Sequence, residues 1–395
     1  MKSRKMDALT KVHVFLFILI FALRGFTDAI FVSKGVTSNF WINLKYYILL
    51  IAIVLLIIQV QKNAAKVFLK ELYIIIFVVT TLVIISLVEC LGSGNMYSSL
   101  LDNAIKMLMP IVYVFLLLNI LKFEDIYFCM AASLIVSLLA YIVEIGTNNF
   151  SIVNIMSMKF SDSYSPFESH YSAGISIALC SFFMYYRKNK VFQVLSFIYA
   201  IFTFKRLFVL FAIFLWTIPK IIDMNKKINK KSKYLWAIIF IGLTFLYCWL
   251  LLPQSSNLFY KLFGETQNKF TMGRYELLRR LESGDYRSAG LGSTTDFLGK
   301  GLEMDLIRIL KETTCIGLIT FCFGYFMCAG NRRYTLIFMI FQFFNLLTSH
   351  SIYGAINWIL ILLTIGCISY KEKNDFEKFK ILDKKQGSYE ETIET

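Results

Sequence analysis

Charged side chains that could take part in chemistry gather between residues 273 and 312. Arg274, Arg279 and Arg280 lie in a long polar segment, and Glu303 and Asp305 stand where the next apolar run begins. Arginine suits pyrophosphate because its planar fork offers paired donors and stays charged. A carboxylate beside such cations could be the general base for a hydroxyl group. The same acids could instead favour a helix N-terminus through its dipole, so the sequence leaves two roles open for them.

The segment GRYELLRRLESGDY, which starts at Gly273, has the spacing of a short amphipathic helix. Tyr275, Leu278 and Leu281 fall on one stripe, and Glu276 and Arg280 are four residues apart. We expect this helix to lie at the membrane surface, with its arginines directed toward polar groups. Ordinary anionic lipid headgroups are the alternative partners of those arginines.

The composition predicts a membrane protein around these residues. The chain has 395 residues, of which 57% are hydrophobic, above the roughly 45–50% typical of soluble domains. The net charge of +15 would favour a nucleic-acid partner in a soluble protein, but here it lies mostly in short loops between apolar runs. We therefore expect an all-α polytopic protein that contacts the lipid bilayer and no nucleic acid. The eight cysteines fall in apolar runs, so we interpret them as buried structural residues.

Twelve apolar runs are candidates for transmembrane helices, each of which needs about 20 residues. They are 12–32, 40–60, 71–92, 101–121, 125–145, 169–186, 190–204, 206–222, 234–253, 303–329, 334–349 and 351–370. Lysine and arginine accumulate in alternate loops, which predicts cytoplasmic termini and an external loop at 254–302. Residues 1–373 then form one membrane domain, and residues 374–395 form a polar cytoplasmic tail.

Ionisable residues interrupt several predicted spans, where each is costly at mid-bilayer. With the orientation above, they gather toward the outer side. Lys205 and Arg206 are the sharpest case, because the positive-inside rule disfavours cations at an outer hairpin. Snorkelling to headgroups would explain any one of these residues. A water-accessible outer cavity suited to a phosphate-bearing ligand explains the whole set. Besides Lys205 and Arg206, the ionisable residues of this set are Arg24, Lys45, Glu89, Lys106, Glu168, His170 and His350.

Three motifs together resemble a known pair of families. They are GR at 273–274, GLGS at 290–293 and EMDLIRILKETTCIGL from Glu303 onward. This series is similar to the signature of the Wzy-type polysaccharide repeat-unit polymerases and of the related WaaL-type O-antigen ligases. Glu303 stands where the ligases carry a histidine, which favours the polymerases, Glu312 takes the family's acidic position, and Thr314 replaces a glycine. Lys205 and Arg206 look like the family's external arginine ahead of the large loop.

The resemblance implies a GT-C-like fold of about twelve transmembrane helices in a bacterial cytoplasmic membrane. It implies a glycosyltransferase that joins undecaprenyl-pyrophosphate-linked oligosaccharides on the outer face, for capsule, O-antigen or exopolysaccharide, with no cofactor and no metal. The resemblance also implies a flippase and a chain-length regulator of the same pathway as partners. The alternatives are an O-antigen-ligase-like transferase and, from another class, a flippase or transporter of lipid-linked oligosaccharide.

These expectations assign roles to nine residues. Glu303 and Asp305 are the catalytic candidates. The pyrophosphate- and substrate-binding candidates are Arg206, Arg274, Arg279, Arg280, Lys205, His170 and His350.

Overall fold

A computed structural model of the protein describes residues 7–32, 35, 38–60, 67–94, 99–151, 153–154, 167–284 and 286–371. The predicted tail at 374–395 lies outside the described residues. Within the described ranges the protein is helical and has no strand, apart from one isolated bridge between Lys227 and Arg332. The all-α expectation is therefore confirmed for this part of the chain.

A helix overlaps each of the twelve predicted spans. These helices are α1 (Ala8–Arg24), α2 (Asn39–Gln59), α3 (Leu69–Ser93), α4 (Ser99–Ile120), α5 (Phe123–Ile145), α6 (His170–Tyr186), α7 (Lys190–Phe202), α8 (Arg206–Thr217), α9 (Lys230–Leu250), α14 (Asp305–Met327), α15 (Arg333–Thr348) and α16 (Ala355–Gly366). Among the described residues, Ala8–Asp28, which extends α1 by four residues, together with α2 to α5 and α9, are long and apolar enough to cross a membrane. The helices α6, α7, α8, α15 and α16 are apolar but shorter. The chain is thus a helical protein with six helices able to span a membrane among its described residues, and the count of twelve spans stays a prediction.

The segment from 253 to 304 is a folded layer of short helices, which we call the loop layer. Its helices are α10 (Ser256–Phe263), α11 (Gln267–Phe270), α12 (Arg274–Ser283) and α13 (Ser293–Leu298). The predicted amphipathic helix is confirmed as α12, but its leucines pack on protein. Leu277, Leu278 and Leu281 join Phe259 and Ile307 in a separate small core. Glu276 and Arg280 are both exposed, and the predicted ion pair between them is not among the ion pairs of the described residues.

The loop layer lies at one end of the helix bundle. Leu291 N donates to Ser86 Oγ of α3 at 3.0 Å, and Ser99 at the start of α4 donates to Asp296 at 2.7 Å. The opposite end is closed by contacts between other helix termini, including Tyr370 with Glu71 at 2.8 Å. Between the two ends, α14 packs against both α9 and α3. The loop layer therefore covers the end at which α14 begins.

The helix α14 is broken once, at Thr313 and Thr314. Thr313 has φ −133° and ψ 19°, and Thr314 has φ 61° and ψ −176°. A β-branched residue with positive φ is strained, and this backbone region is adopted almost only by glycine. Thr314 is the residue that stands where the resembling families carry a glycine. The backbone therefore keeps the glycine-like conformation although the side chain has changed.

Hydroxyl groups of the loop layer bind the backbone carbonyls just before this break. Tyr286 donates to the Lys311 carbonyl at 3.4 Å, and Ser288 donates to the Glu312 carbonyl at 2.8 Å. A break in a helix frees carbonyls that need other partners. The kink and the loop layer thus stabilise each other.

We expect Thr314→Gly to raise the melting temperature of the detergent-solubilised protein. Strain at such a backbone position costs on the order of 1–3 kcal/mol, and the entropy cost of glycine offsets about 1 kcal/mol of that gain. The matched control is Thr320→Gly in the regular part of α14, where Thr320 bonds to the Ile316 carbonyl and glycine should lower the melting temperature. Equal losses in both variants would contradict strain at Thr314.

Candidate functional site

Arg274 and Glu303 form an ion pair that joins two of the sequence motifs. Arg274 donates from Nε at 3.0 Å and from Nη2 at 2.6 Å to Glu303 Oε2. Both side chains reach the surface, with 21% and 49% of their area exposed. Arg274 opens α12, and Glu303 precedes Met304, the N-cap residue of α14, which has no side-chain cap bond. Glu303 is therefore an arginine partner that stands one residue before the N-cap.

Lys205 lies close to this pair although it comes from the turn between α7 and α8. Its Nζ donates to Asn345 Oδ1 at 3.3 Å, and its ammonium is 4.7 Å from the centre of the Phe208 ring. Burial lowers the pKa of Lys205 to about 8; repulsion by Arg274 adds to the shift, and attraction by Glu303, Glu168 and Asp305 opposes it. Lys205, Arg274 and Glu303 therefore act on one another electrostatically at the loop-layer end.

Asp305 is buried and holds the loop between α15 and α16. Its Oδ2 accepts backbone N–H bonds from Ser351 at 2.5 Å and Ile352 at 2.7 Å, and its Oδ1 lies 2.9 Å from His350 Nδ1. The residue has no exposed surface, whereas the His350 side chain is 38% exposed. In this arrangement the Asp305 carboxylate positions a neighbouring loop.

Glu312 is the most heavily bonded side chain of the site. It accepts bonds from the backbone N–H of Gly292 at 2.9 Å and of Thr294 at 3.2 Å, and from the Thr294 hydroxyl at 2.5 Å. Arg308 Nε donates to it at 2.9 Å, and the Tyr353 hydroxyl lies 3.5 Å away. The carboxylate is fully buried. One side chain thus connects α14, the loop layer and the loop before α16.

The GLGS turn owes its glycines to close packing against α3 and α4. Gly290 and Gly292 have φ of 83° and 97°, which side-chain-bearing residues rarely adopt. A Cβ atom on Gly290 would lie 2.2 Å from Ser86 Cβ, and one on Gly292 would lie 2.0 Å from Ser99 Oγ. The turn therefore has a structural role: it packs against α3 and α4 and presents the N–H groups that bind Glu312. It does not form a dinucleotide-binding fingerprint.

The other predicted site residues are more dispersed. Arg206 begins α8 next to Lys205 and is half-buried. Arg279 points to Glu282 at 3.4 Å, and Arg280 is exposed. The side chain of His170 lies outside the described residues. The structure thus brings together Lys205, Arg274 and Glu303, with Arg206 adjacent in sequence.

The cations inside the first spans have carboxylate partners. Arg24 and Lys45 both bind Asp28, with Lys45 Nζ at 2.5 Å from Oδ1. Lys45 and Asp28 are buried, and a charge in a low-dielectric interior must be paired. Lys106 pairs with the more exposed Asp102 one turn earlier, also at 2.5 Å. The spacing of Arg24 and Asp28, four residues apart, was a signal for this pair in the sequence.

The sequence predicts that Arg308 and Glu312 lie on the helix α14, but it does not predict that they form a buried ion pair. Arg308 lies 4.5 Å from the centre of the Tyr353 ring and 3.2 Å from His350 Nδ1. The i, i+4 spacing of Arg308 and Glu312 was the available signal for the ion pair. No local pattern pointed to Thr294 or Tyr353 as their partners, since these contacts join distant segments.

No family model, no curated protein and no solved structure matches the chain.

We expect Glu312→Gln to destabilise the protein by about 3–5 kcal/mol, because it leaves the buried Arg308 without its counter-charge. Thermal unfolding in detergent measures the effect. The control Glu282→Gln removes an exposed partner of Arg279 and Lys311 and should change stability by less than about 1 kcal/mol. The double variant Arg308→Met with Glu312→Gln should lose less than the sum of the single variants. Additive losses would contradict the coupling.

Proposed function

We propose that the chain is a glycosyltransferase that polymerises lipid-pyrophosphate-linked oligosaccharides at the loop-layer end of its helix bundle. The observation that supports this most is the convergence of Lys205, Arg274 and Glu303 from separate segments of the chain. Arg274 is partly exposed, and Lys205, with Arg206 beside it in the chain, adds cations at this end. The carboxylates that act on Lys205 are Glu303, Glu168 and the buried Asp305. An accessible guanidinium with further cations nearby suits a pyrophosphate diester, both for binding and for departure as a leaving group.

In this proposal Arg274 and Lys205 bind the pyrophosphate of the donor, with Arg206 beside them. The resemblance to the repeat-unit polymerases points to undecaprenyl pyrophosphate as the lipid carrier. Glu303 holds Arg274 in position before the donor binds, because an arginine with a carboxylate partner has fewer accessible rotamers. Fixed cations can stabilise the charge that develops on the leaving pyrophosphate. The acceptor hydroxyl needs a base in addition.

The reaction joins two lipid-linked glycans. The acceptor hydroxyl of one repeat unit bonds to the anomeric carbon of the growing chain, whose bond to the pyrophosphate oxygen breaks. The lipid pyrophosphate leaves with the electron pair of that bond, and the chain grows by one repeat unit. We propose that the loop layer holds both reacting ends over the membrane face, which is the outer face in the topology predicted from the loop charges.

We expect Arg274→Ala to lower the rate of polymerisation at least tenfold in proteoliposomes supplied with undecaprenyl-pyrophosphate-linked repeat units. The loss of a paired donor to pyrophosphate removes charge stabilisation that the leaving group requires. The measurement is the ladder of lengthening lipid-linked products on a gel. Lys269→Ala is the matched control, because Lys269 is an exposed cation of the same loop layer paired with Glu265 at 2.9 Å, and it should keep the wild-type rate.

Other products would identify the rival functions. Transfer of a finished glycan to a different acceptor without a ladder would indicate a ligase. Movement of the lipid-linked sugar across the bilayer with no new glycosidic bond would indicate a transporter. Full polymerisation by Arg274→Ala would overturn the assignment of this cluster as the donor site.

The affinity for the donor should fall about tenfold between pH 7 and pH 9, because Lys205, whose pKa is lowered to about 8, loses its proton over this interval. A pyrophosphate diester keeps its two negative charges throughout, so the change belongs to the protein. In Lys205→Arg the guanidinium stays charged and the fall should disappear. Titration of the detergent-solubilised protein with the lipid-linked repeat unit measures both curves. An unchanged fall in Lys205→Arg would show that another group titrates.

A further inference from the structure

His350 forms a carboxylate–histidine pair at the loop-layer end that the proposed donor site does not use. It lies at the end of α15, and its Nδ1 is 2.9 Å from Asp305 Oδ1. Asp305 is itself held by the backbone N–H groups of Ser351 and Ile352, at 2.5 Å and 2.7 Å. The Asp305 carboxylate is fully buried, whereas 38% of the His350 side chain is exposed. A fixed carboxylate therefore orients an accessible imidazole.

Two contacts meet at His350 Nδ1, from Asp305 Oδ1 at 2.9 Å and from Arg308 Nη1 at 3.2 Å. The carboxylate accepts from a protonated Nδ1, whereas the guanidinium can only donate to an unprotonated one, which would put the proton on Nε2. The shorter contact to Asp305, and the other partners of Arg308, which are Glu312 and the Tyr353 ring, favour the tautomer in which Nδ1 donates to Asp305 and Nε2 keeps its lone pair. Histidine general bases share this arrangement: Nδ1–H donates to a carboxylate, and Nε2 is left to accept a proton.

Gly301 lies beside the Cδ2–Nε2 edge of this ring and has no side chain there. A Cβ atom at Gly301 would lie 3.6 Å from His350 Cδ2 and 3.8 Å from Nε2. Gly301 precedes Glu303 by two residues, and Glu303 binds Arg274. The open ring edge therefore adjoins the segment that carries the proposed donor site.

Glu303 and Asp305, the two catalytic candidates from the sequence, are less suited to accept a proton. Glu303 Oε2 accepts two N–H bonds from Arg274, and a carboxylate neutralised by a guanidinium is a weaker base. Asp305 has no exposed surface. Among the described residues around this end, the imidazole of His350 combines an oriented lone pair with access.

We propose that His350, positioned by Asp305, is the general base that activates the acceptor hydroxyl. The proposal rests on the proposed polymerase function. Nε2 takes the hydroxyl proton as the oxygen bonds to the anomeric carbon of the donor, and the bond from that carbon to the pyrophosphate oxygen breaks with its electron pair leaving on the lipid pyrophosphate. The imidazolium then returns the proton to water. His350 is thus assigned to proton transfer rather than to anion binding.

The test compares His350→Ala with the wild type in the proteoliposome assay. We expect kcat to fall on the order of 10²–10⁴-fold, with little change in KM for the donor, since donor binding is assigned to Arg274 and Lys205. Added imidazole should restore part of the rate in His350→Ala, because the side chain is exposed enough for a small base to replace it. Imidazole should not restore Arg274→Ala. Lys300→Ala, an exposed neighbour of Gly301, is the control that keeps the wild-type rate.

A second variant keeps the test valid if His350→Ala does not fold. Gly301→Val leaves the imidazole in place but covers its Nε2 edge, and it should lower kcat at least tenfold with an unchanged melting temperature. A full rate in either variant, or a loss in His350→Ala that imidazole does not relieve, would overturn the base assignment alone. A wild-type protein that forms no glycosidic bond would overturn the proposed function together with it.

Discussion

The buried carboxylate of Glu312 is the interaction on which the loop-layer end depends. A charged group without exposure to water is tolerated only when its lone pairs are bonded and its charge is matched. Glu312 meets both conditions through partners from three segments: Arg308 on its own helix, the GLGS turn with Thr294, and Tyr353. Because the penalty for losing any partner is large, the carboxylate fixes how these segments sit relative to one another.

The position of the candidate site follows from this anchor. The GLGS turn is held between Glu312 on one side and α3 and α4 on the other, which fixes the segment that leads to Glu303. Asp305 secures the loop of His350 to the same end of α14. The break at Thr314 lies next to Glu312, and hydroxyl groups of the loop layer bind the carbonyls before it. The break exposes these carbonyls, and their bonds to the loop layer in turn stabilise the strained backbone.

The ionisable residues fall into two groups: buried pairs that stabilise helix packing, and partly exposed pairs that a ligand anion can reach. Asp28 binds both Arg24 and Lys45 within the first helices, so these cations serve the packing of α1 and α2. The pair of Arg274 and Glu303 is partly exposed, and Lys205 nearby adds a positive charge. An anion can compete for an exposed pair far more readily than for a buried one, since water already shares in solvating it. The sequence could place all these charges in spans or loops, but it could not distinguish the two environments.

The sequence by itself determined the helical class, the positions of the apolar helices and the short amphipathic helix now seen as α12, because hydrophobic periodicity is a local property of the chain. It also identified Arg274 and Glu303 as candidates, although it left open whether Glu303 was a cap. Only the tertiary structure decided that these two residues meet across 29 positions, that the leucines of α12 pack on protein, and that Asp305 is buried behind His350. The physical reason is that partners and burial depend on contacts between distant segments, which no local pattern encodes.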